Sequence, residues 1–192
     1  MKRLFALLLV LIMILTLVAC GGGTDPGTEA PEGGSSDEGG TPDQISGKTY
    51  DTGNFTAQIP DGWMENPVTD MWSDDPEALD PNGLQIIKDG SSAFDILTKA
   101  YVDIDYYGPE TDMMTPSSEW YQEAADLAPI TAGSTTWKGF TAVSGGNKMT
   151  VLYAGEAGAA QYQVVLWCNG DATIEASDAE VLAILKSLTP AA

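Results

Sequence analysis

The chain has 192 residues, of which 28 are acidic and eight are basic, and it contains no histidine. A formal net charge of −20 excludes a nucleic-acid-binding role, because neutralising phosphates needs a basic face that this composition cannot supply. The absence of histidine excludes Ser-His-Asp and Cys-His catalytic systems and histidine-based zinc sites.

The first 19 residues have the pattern of a secretory signal peptide. Lys2 and Arg3 precede an unbroken apolar run over residues 4–19. At about 1.5 Å per residue this run spans roughly 24 Å, which is short for a bilayer core of ~30 Å. The length therefore favours a cleaved signal over a permanent transmembrane anchor.

The apolar run ends in Leu17-Val18-Ala19-Cys20, which resembles a bacterial lipobox. The resemblance implies attachment of diacylglycerol to the Cys20 sulfur and cleavage between Ala19 and Cys20. Several acyl chains on one residue give stable anchoring, because each buried CH₂ contributes ~0.8 kcal/mol. We therefore expect a signal peptide over residues 1–19. The mature protein is expected to be lipid-anchored in the cell membrane through Cys20, facing the extracytoplasmic side.

Residues 20–47 are predicted to form the lipidated cysteine and a disordered linker behind it. From Gly21 to Gly47 the composition is dominated by Gly, Ser, Thr, Pro, Asp and Glu, and Ile45 is the only large apolar residue. Such a segment cannot bury enough apolar surface to fold. Its acidic residues face no basic residue, and like charges extend a coil and repel anionic lipid headgroups.

Residues 48–192 are long enough for one globular domain with a single core. Alternation of apolar and polar residues predicts a first strand with Phe55, Ala57 and Ile59 on one face. The segment Pro60-Asp61-Gly62 is typical of a turn, after which Trp63 would reach the core.

The middle of the domain predicts a short helix and two strands. Asp75 and Pro76 are typical of a helix cap and a first helical position. Strands follow over residues 84–88 and 93–104, joined across a turn at Asp89-Gly90. The second strand is predicted to face the core with Phe94, Ile96, Ala100, Val102 and Ile104, and to face water with Asp95, Lys99, Asp103 and Asp105.

Two helices are predicted in the second half of the domain. The first begins at Thr115-Pro116 and ends at residue 128, with a core stripe of Trp120, Ala124 and Leu127. The second begins with a capping box over residues 177–180 and stops before Pro190. Its apolar face consists of Val181, Ile184, Leu185 and Leu188.

Between these helices the sequence predicts a meander of three strands, over residues 134–144, 148–154 and 161–169. The connection Gly145-Gly146-Asn147 is typical of a hairpin turn, and local connections imply antiparallel pairing. Cys168 is expected to be a buried structural residue, because a reactive thiolate needs a basic neighbour and exposure.

Three patterns are similar to the PsbP/Mog1-like group of domains, which is common in bacterial lipoproteins. They are Phe55-x-x-x-Ile59-Pro60-x-Gly62-Trp63, the central hairpins, and the closing run Ile184-Leu185-Lys186-Ser187-Leu188-Thr189-Pro190. The resemblance covers residues 49–190 and implies an α+β fold, an α/β/α sandwich in which helices flank an antiparallel β-sheet. It also implies use as an assembly or interaction module, and it transfers no active site.

Two groups of carboxylates are candidate cation sites, because calcium prefers hard oxygen ligands. Neither group matches the twelve-residue calcium loop, since Asp80-Pro81-Asn82-Gly83 supplies only a fragment of that pattern. The alternative is a solvated acidic loop whose carboxylates favour the start of a helix. The candidate metal ligands are Asp74, Asp75, Glu77 and Asp80 in the first group, and Asp103 and Asp105, with Glu110 and Asp112 nearby, in the second.

The inventory of residues favours a non-catalytic interaction or assembly module that binds a protein or another cationic partner of the envelope. Without histidine, an enzyme would need a Ser-Lys dyad or paired carboxylates, and residues 48–192 contain no Ser-x-x-Lys. The alternatives are a small solute- or calcium-binding lipoprotein and a carboxylate-dependent envelope hydrolase. No cofactor is expected apart from calcium. Trp72, Tyr106 and Tyr107 are interpreted as core aromatics, with a cation- or sugar-binding surface as the alternative.

Overall fold

The computed structural model describes residues 45–191, which form antiparallel β-sheets and one α-helix. The expected signal peptide, Ala19, Cys20 and the linker up to residue 44 lie outside the described residues. Two short 3-10 turns occupy Ala93–Leu97 and Ser118–Trp120, and helix α1 spans Ala179–Ser187. The strands are β1 (Gly47–Asp51), β2 (Phe55–Pro60), β3 (Trp63–Thr69), β4 (Leu79–Lys88), β5 (Tyr101–Tyr107), β6 (Gln122–Asp126), β7 (Ile130–Ala132), β8 (Thr135–Ser144), β9 (Asn147–Ala154), β10 (Gln161–Cys168) and β11 (Thr189–Pro190).

The strands form a small and a large sheet. The small sheet has the order β1-β2-β11, and the large sheet has the order β3-β4-β5-β10-β9-β8-β6, while β7 pairs with another stretch of β8. The predicted meander is confirmed, because β9 pairs antiparallel with both β8 and β10. Gly145 and Gly146 form its first turn with φ of 60° and 87°, the positive values that a two-residue hairpin turn requires.

The main core lies between one face of the large sheet and a second layer made of the small sheet and α1. The period-2 pattern of β2 is confirmed, since Phe55, Ala57 and Ile59 are all buried. The apolar face of α1 is also confirmed, with Ile184 and Leu185 among its buried residues. In both elements the local spacing of apolar residues decides which side is buried.

The predicted α/β/α sandwich is wrong. The described residues are mostly β-sheet, with 48% in strands, and α1 is their one α-helix. Residues 115–128 do not form the predicted helix: a 3-10 turn covers Ser118–Trp120 and β6 follows. The outer edge of β8 needs partners for its backbone N–H and C=O groups, and Ala125 pairs there with Thr141. This non-local pairing overrides the helical spacing, and Trp120 is 58% exposed instead of buried.

Residues 108–121 connect β5 to β6 and cross the second face of the large sheet. The Met113 N–H donates to Gln161 Oε1 (3.3 Å), and the Tyr121 ring packs against Phe140 with centroids 5.4 Å apart. A smaller apolar cluster forms under this segment. Antiparallel sheets commonly leave one face to water, but here the crossing segment covers part of it.

Three local predictions are also corrected. Asp75 does not start a helix, because its carboxylate accepts the Glu77 N–H (3.0 Å) and closes a turn. Residues 93–97 form a 3-10 turn instead of a strand, and Phe94 points into solvent. The capping box of α1 is absent: Asp178 is the cap residue, and its carboxylate accepts the N–H of Glu175 (2.9 Å).

The two ends of the large sheet carry different connections. At one end the Asp61 N–H donates to the Ser46 carbonyl (3.0 Å), so the described chain begins beside the β2–β3 turn. At the opposite end the Thr52 hydroxyl donates to the Pro81 carbonyl (2.7 Å), beside Asn82. We call these the Ser46 end and the Asn82 end. No helix among residues 45–191 has the length and apolar character needed to cross a bilayer.

Candidate interaction surface at the Asn82 end

The connection from β3 to β4, together with the first two residues of β4, forms a loop over residues 70–80, which we call the acidic loop. Its shape comes from local hydrogen bonds: Asp70 Oδ1 accepts the Trp72 N–H (2.9 Å), and the Asp70 N–H donates to the Ala78 carbonyl (2.9 Å). Short Asp side chains commonly stabilise turns in this way. The loop therefore holds its conformation without burying its own apolar residues.

Three large apolar side chains are exposed on the acidic loop, and Leu79, at 55%, is the least exposed of them. Trp72 is 94% exposed and Met71 is 86% exposed. The interpretation of Trp72 as a core aromatic is therefore wrong. Isolated exposed apolar residues are common in proteins, but tryptophan and methionine side by side form a contact patch of the kind enriched at protein interfaces. The loop also contains five acidic residues and no basic residue: Asp70, Asp74, Asp75, Glu77 and Asp80.

A cleft of about 270 Å³ lies at the base of the acidic loop. Asp80 and Asp105 both line it, because the β4–β5 register places Gly83 opposite Asp105 and so brings the start of β4 next to the end of β5. Tyr106 and Tyr107 also line the cleft. Asp80 is far from the other three residues in sequence, and strand pairing brings it to them.

The carboxylates of Asp103 and Asp105, which β5 carries on the second face of the large sheet, have less contact with water than the sequence predicts. Burial, reinforced by the neighbouring charge of Asp105, raises the pKa of Asp103 to about 6, while a hydrogen bond from Gln85 acts in the opposite direction. Burial and the charge of Asp80 raise the pKa of Asp105 as well. Gln85 is itself fixed by the amide of Asn66, which donates to its Oε1 at 2.8 Å. The predicted wet face is therefore half-buried.

No base compensates these carboxylates among residues 45–191. The two ion pairs of this part of the chain join Lys48 to Glu65 and Lys99 to Asp95, both away from the cleft. Desolvated like charges repel one another, and a cationic group brought to this surface would relieve that repulsion. The Asn82 end therefore presents uncompensated negative charge at the same end of the sheet as the exposed Trp72.

The structure separates the residues predicted to bind a cation. Asp105 lies near Asp80 on one side and Asp103 on the other, whereas Asp74, Asp75 and Glu77 are exposed on the acidic loop. Glu110 and Asp112 are exposed as well. In the described part of the chain, no three acidic or cysteine side chains come together in a group that could hold a metal ion. The calcium site stays a prediction.

Sequence reasoning missed a second depression, an apolar groove of about 580 Å³ at the Ser46 end. Helix α1 begins only at Ala179. The loop that precedes the helix, and not the helix itself, therefore lies over the start of β9 and the end of β10. Cys168 lies half-buried in the groove, with its Sγ 3.5 Å from the Ile174 carbonyl, and is less buried than predicted. The groove combines separate chain segments and leaves no local signal; its apolar lining includes Leu127, Ile130, Val143, Met149, Ile174 and Ala176.

Comparison with known proteins assigns no family. No family model matches the chain, and no curated protein matches it. Among solved structures, the chain is similar to a crystal structure from Bacteroides thetaiotaomicron VPI-5482, with 11% sequence identity and a TM-score of 0.41. The match covers 76% of this chain and 49% of that chain, so this protein spans about half the length of the other. The resemblance to PsbP/Mog1-like domains stays a prediction.

Proposed function

We propose that the protein is a lipid-anchored, extracytoplasmic interaction module whose acidic loop binds a basic partner protein. The observation that carries this proposal is the exposure of Trp72, at 94%, in a loop with five acidic residues and no basic one. Anchoring is supported by the lipobox resemblance at Cys20. Binding is the proposed activity, and no catalytic step is part of it.

The chemistry of the acidic loop defines the partner that it fits. Burying Trp72 and Met71 against an apolar pocket would supply most of the binding energy, because few residues dominate an interface and tryptophan is enriched among them. The surrounding carboxylates would steer a basic surface to the loop and reject acidic surfaces. A cationic protein of the envelope therefore matches both features.

The test is photocrosslinking on intact cells with a photoreactive phenylalanine at position 72. We expect a discrete crosslinked protein, and a several-fold weaker product at high salt or in an Asp74→Asn/Asp75→Asn variant, because both changes weaken the attraction. The matched control carries the photoreactive residue at Thr136. This residue is exposed on β8, near the edge of the large sheet opposite to β3. Equal products from both positions, or none from either, would rule out the acidic loop as the contact surface.

Cation binding is the second candidate, because Asp80 and Asp105 share a cleft and repel each other. A cation that binds only the native state raises Tm. The interaction proposal expects equal Tm values in calcium and in EDTA. Cation binding in the cleft expects a higher Tm in calcium and the loss of that rise in Asp105→Asn, with the exposed Asp112→Asn as the control.

A further inference from the structure

A 3-10 turn at the Ser46 end exposes two large apolar side chains. The turn spans Ala93–Leu97, and within it Phe94 is 80% exposed and Leu97 is 72% exposed. Side chains three residues apart eclipse in a 3-10 helix, so these two project from the same side. Together they form a small apolar prong, defined here as Phe94 and Leu97.

Hydrogen bonds hold the backbone that carries the apolar prong in one conformation. The Asp95 carboxylate accepts the N–H groups of Ser91 (2.8 Å) and Ser92 (3.2 Å), and Lys99 lies 3.3 Å from the same carboxylate. Below the turn, the buried Asn169 donates its amide to the carbonyls of Ile96 (2.6 Å) and Lys99 (3.0 Å). The exposed side chains are therefore presented by a fixed backbone, which lowers the entropy cost of using them in a contact.

The apolar prong belongs to the end of the sheet at which the described chain begins. β4 ends at Lys88, opposite Trp63, so the connection that carries the prong leaves the sheet beside the β2–β3 turn. That turn is hydrogen-bonded to Ser46 through the Asp61 N–H. The expected lipid attachment site, Cys20, lies upstream of Ser46 in the chain. The chain that leads from the expected attachment site therefore enters the described domain at the Ser46 end.

Charge distinguishes the segment that carries the apolar prong from the acidic loop. Residues 88–99 contain two lysines and two aspartates, Lys88, Asp89, Asp95 and Lys99, and are neutral in sum. The acidic loop carries five acidic residues and no basic one. A membrane surface with anionic lipids therefore repels the acidic loop more strongly than the turn that carries the prong.

We propose that Phe94 and Leu97 insert into the membrane interface, so that the domain rests on the bilayer by its Ser46 end and turns the acidic loop away from it. The inference rests on the lipid anchoring given under the proposed function. Two apolar side chains bind a bilayer weakly by themselves. Anchoring makes the contact intramolecular, and a weak insertion then suffices to orient the domain.

The test measures partition of the mature chain, from residue 20 onward and with Cys20→Ser, onto neutral phosphatidylcholine vesicles by sedimentation, at a lipid concentration high enough for a measurable fraction of the parent chain to bind. We expect a Phe94→Ser/Leu97→Ser variant to partition at least about tenfold less, because two apolar side chains no longer leave water. The matched control is Met71→Ser/Trp72→Ser, which removes a similar apolar area at the Asn82 end and should partition like the parent chain. Equal partition of all three chains, or an equal loss in both variants, overturns the proposal.

A second measurement uses the acylated protein on the same vesicles. Amide hydrogen exchange of residues 93–98 is expected to slow relative to the Cys20→Ser chain in solution, while exchange in the acidic loop stays unchanged. Unchanged exchange in both segments would count against insertion. The mass of the Cys20 peptide reports acylation separately. A peptide without lipid would contradict the anchor, and the partition measurement would still test the apolar prong.

Discussion

Replacing Leu152 by alanine is expected to lower the free energy of unfolding by about 3 kcal/mol. Leu152 is fully buried in the main core and lies at the centre of the meander, between Gly139 on β8 and Val164 on β10. A side chain added at Gly139 would lie 2.9 Å from the Leu152 Cδ2 atom, so the leucine fills the space that the glycine leaves. Truncation opens a cavity over a residue that has no side chain to fill it. Chemical denaturation monitored by tryptophan fluorescence measures the change.

The matched control for Leu152 is its neighbour Val151, whose side chain faces the opposite side of the same strand. Val151 is also buried, but it belongs to the smaller cluster under the crossing segment. We expect Val151→Ala to cost roughly 1.5 kcal/mol, because fewer methyl groups are removed and the crossing segment can settle into the gap. Equal losses in the two variants would contradict the assignment of the main core to the Leu152 face.

Replacing Asp103 by asparagine is expected to raise the free energy of unfolding by about 2 kcal/mol at pH 8. Burial and the charge of Asp105 raise the pKa of Asp103 from 3.8 to about 6, so the folded state disfavours the ionised form. One pKa unit corresponds to about 1.4 kcal/mol, and remaining contact with water reduces the full effect. Asparagine keeps an oxygen that accepts the hydrogen bond from Gln85 but carries no charge.

The same pKa difference fixes how stability depends on pH. The pKa of Asp103 is about 6 in the folded state, against 3.8 for an aspartate side chain surrounded by water, as in the unfolded chain. The folded state therefore binds more protons between these values, and stability falls as the pH rises through this window. In Asp103→Asn that part of the fall should disappear, while the remaining fall due to Asp105 persists. Urea denaturation at a series of pH values measures both curves.

The control for Asp103 is Asp112→Asn, which removes a carboxylate that stands in solvent on the crossing segment. Its free energy of unfolding should change by less than about 0.5 kcal/mol at any pH. If Asp103→Asn is no more stable than this control at pH 8, the Asp103 carboxylate is hydrated in the folded protein and is not repelled by Asp105.

The sequence predicted the elements whose faces are set by neighbouring residues. The alternation in β2 indicated the buried side of Phe55, Ala57 and Ile59, and the spacing in α1 indicated the buried side of Ile184. The paired glycines at 145 and 146 predicted the turn between β8 and β9. Each of these features depends on the period of a strand or a helix, or on backbone angles that glycine favours.

The candidate site was predicted only in part. Asp80 was named from the sequence in one group of oxygen ligands and Asp105 in another, and strand pairing brings these two together at one cleft. The reduced hydration of Asp103 and Asp105 was not predicted, because it depends on neighbours from β4 and on partial covering of the sheet face. The exposure of Trp72 was missed for a related reason: tryptophan is usually buried, and only the local hydrogen bonds of the acidic loop show why it is not.

The sequence by itself determined the acidic character of the protein, the meander and the buried face of α1. Lipid attachment at Cys20 stays a prediction. Tertiary structure decided that residues 122–126 form a strand, because the edge of β8 supplied hydrogen-bond partners that the spacing of Trp120, Ala124 and Leu127 could not reveal. It also decided which apolar residues stay in solvent. Local patterns show which side of an element is apolar, but only the packing of distant segments decides whether anything covers that side.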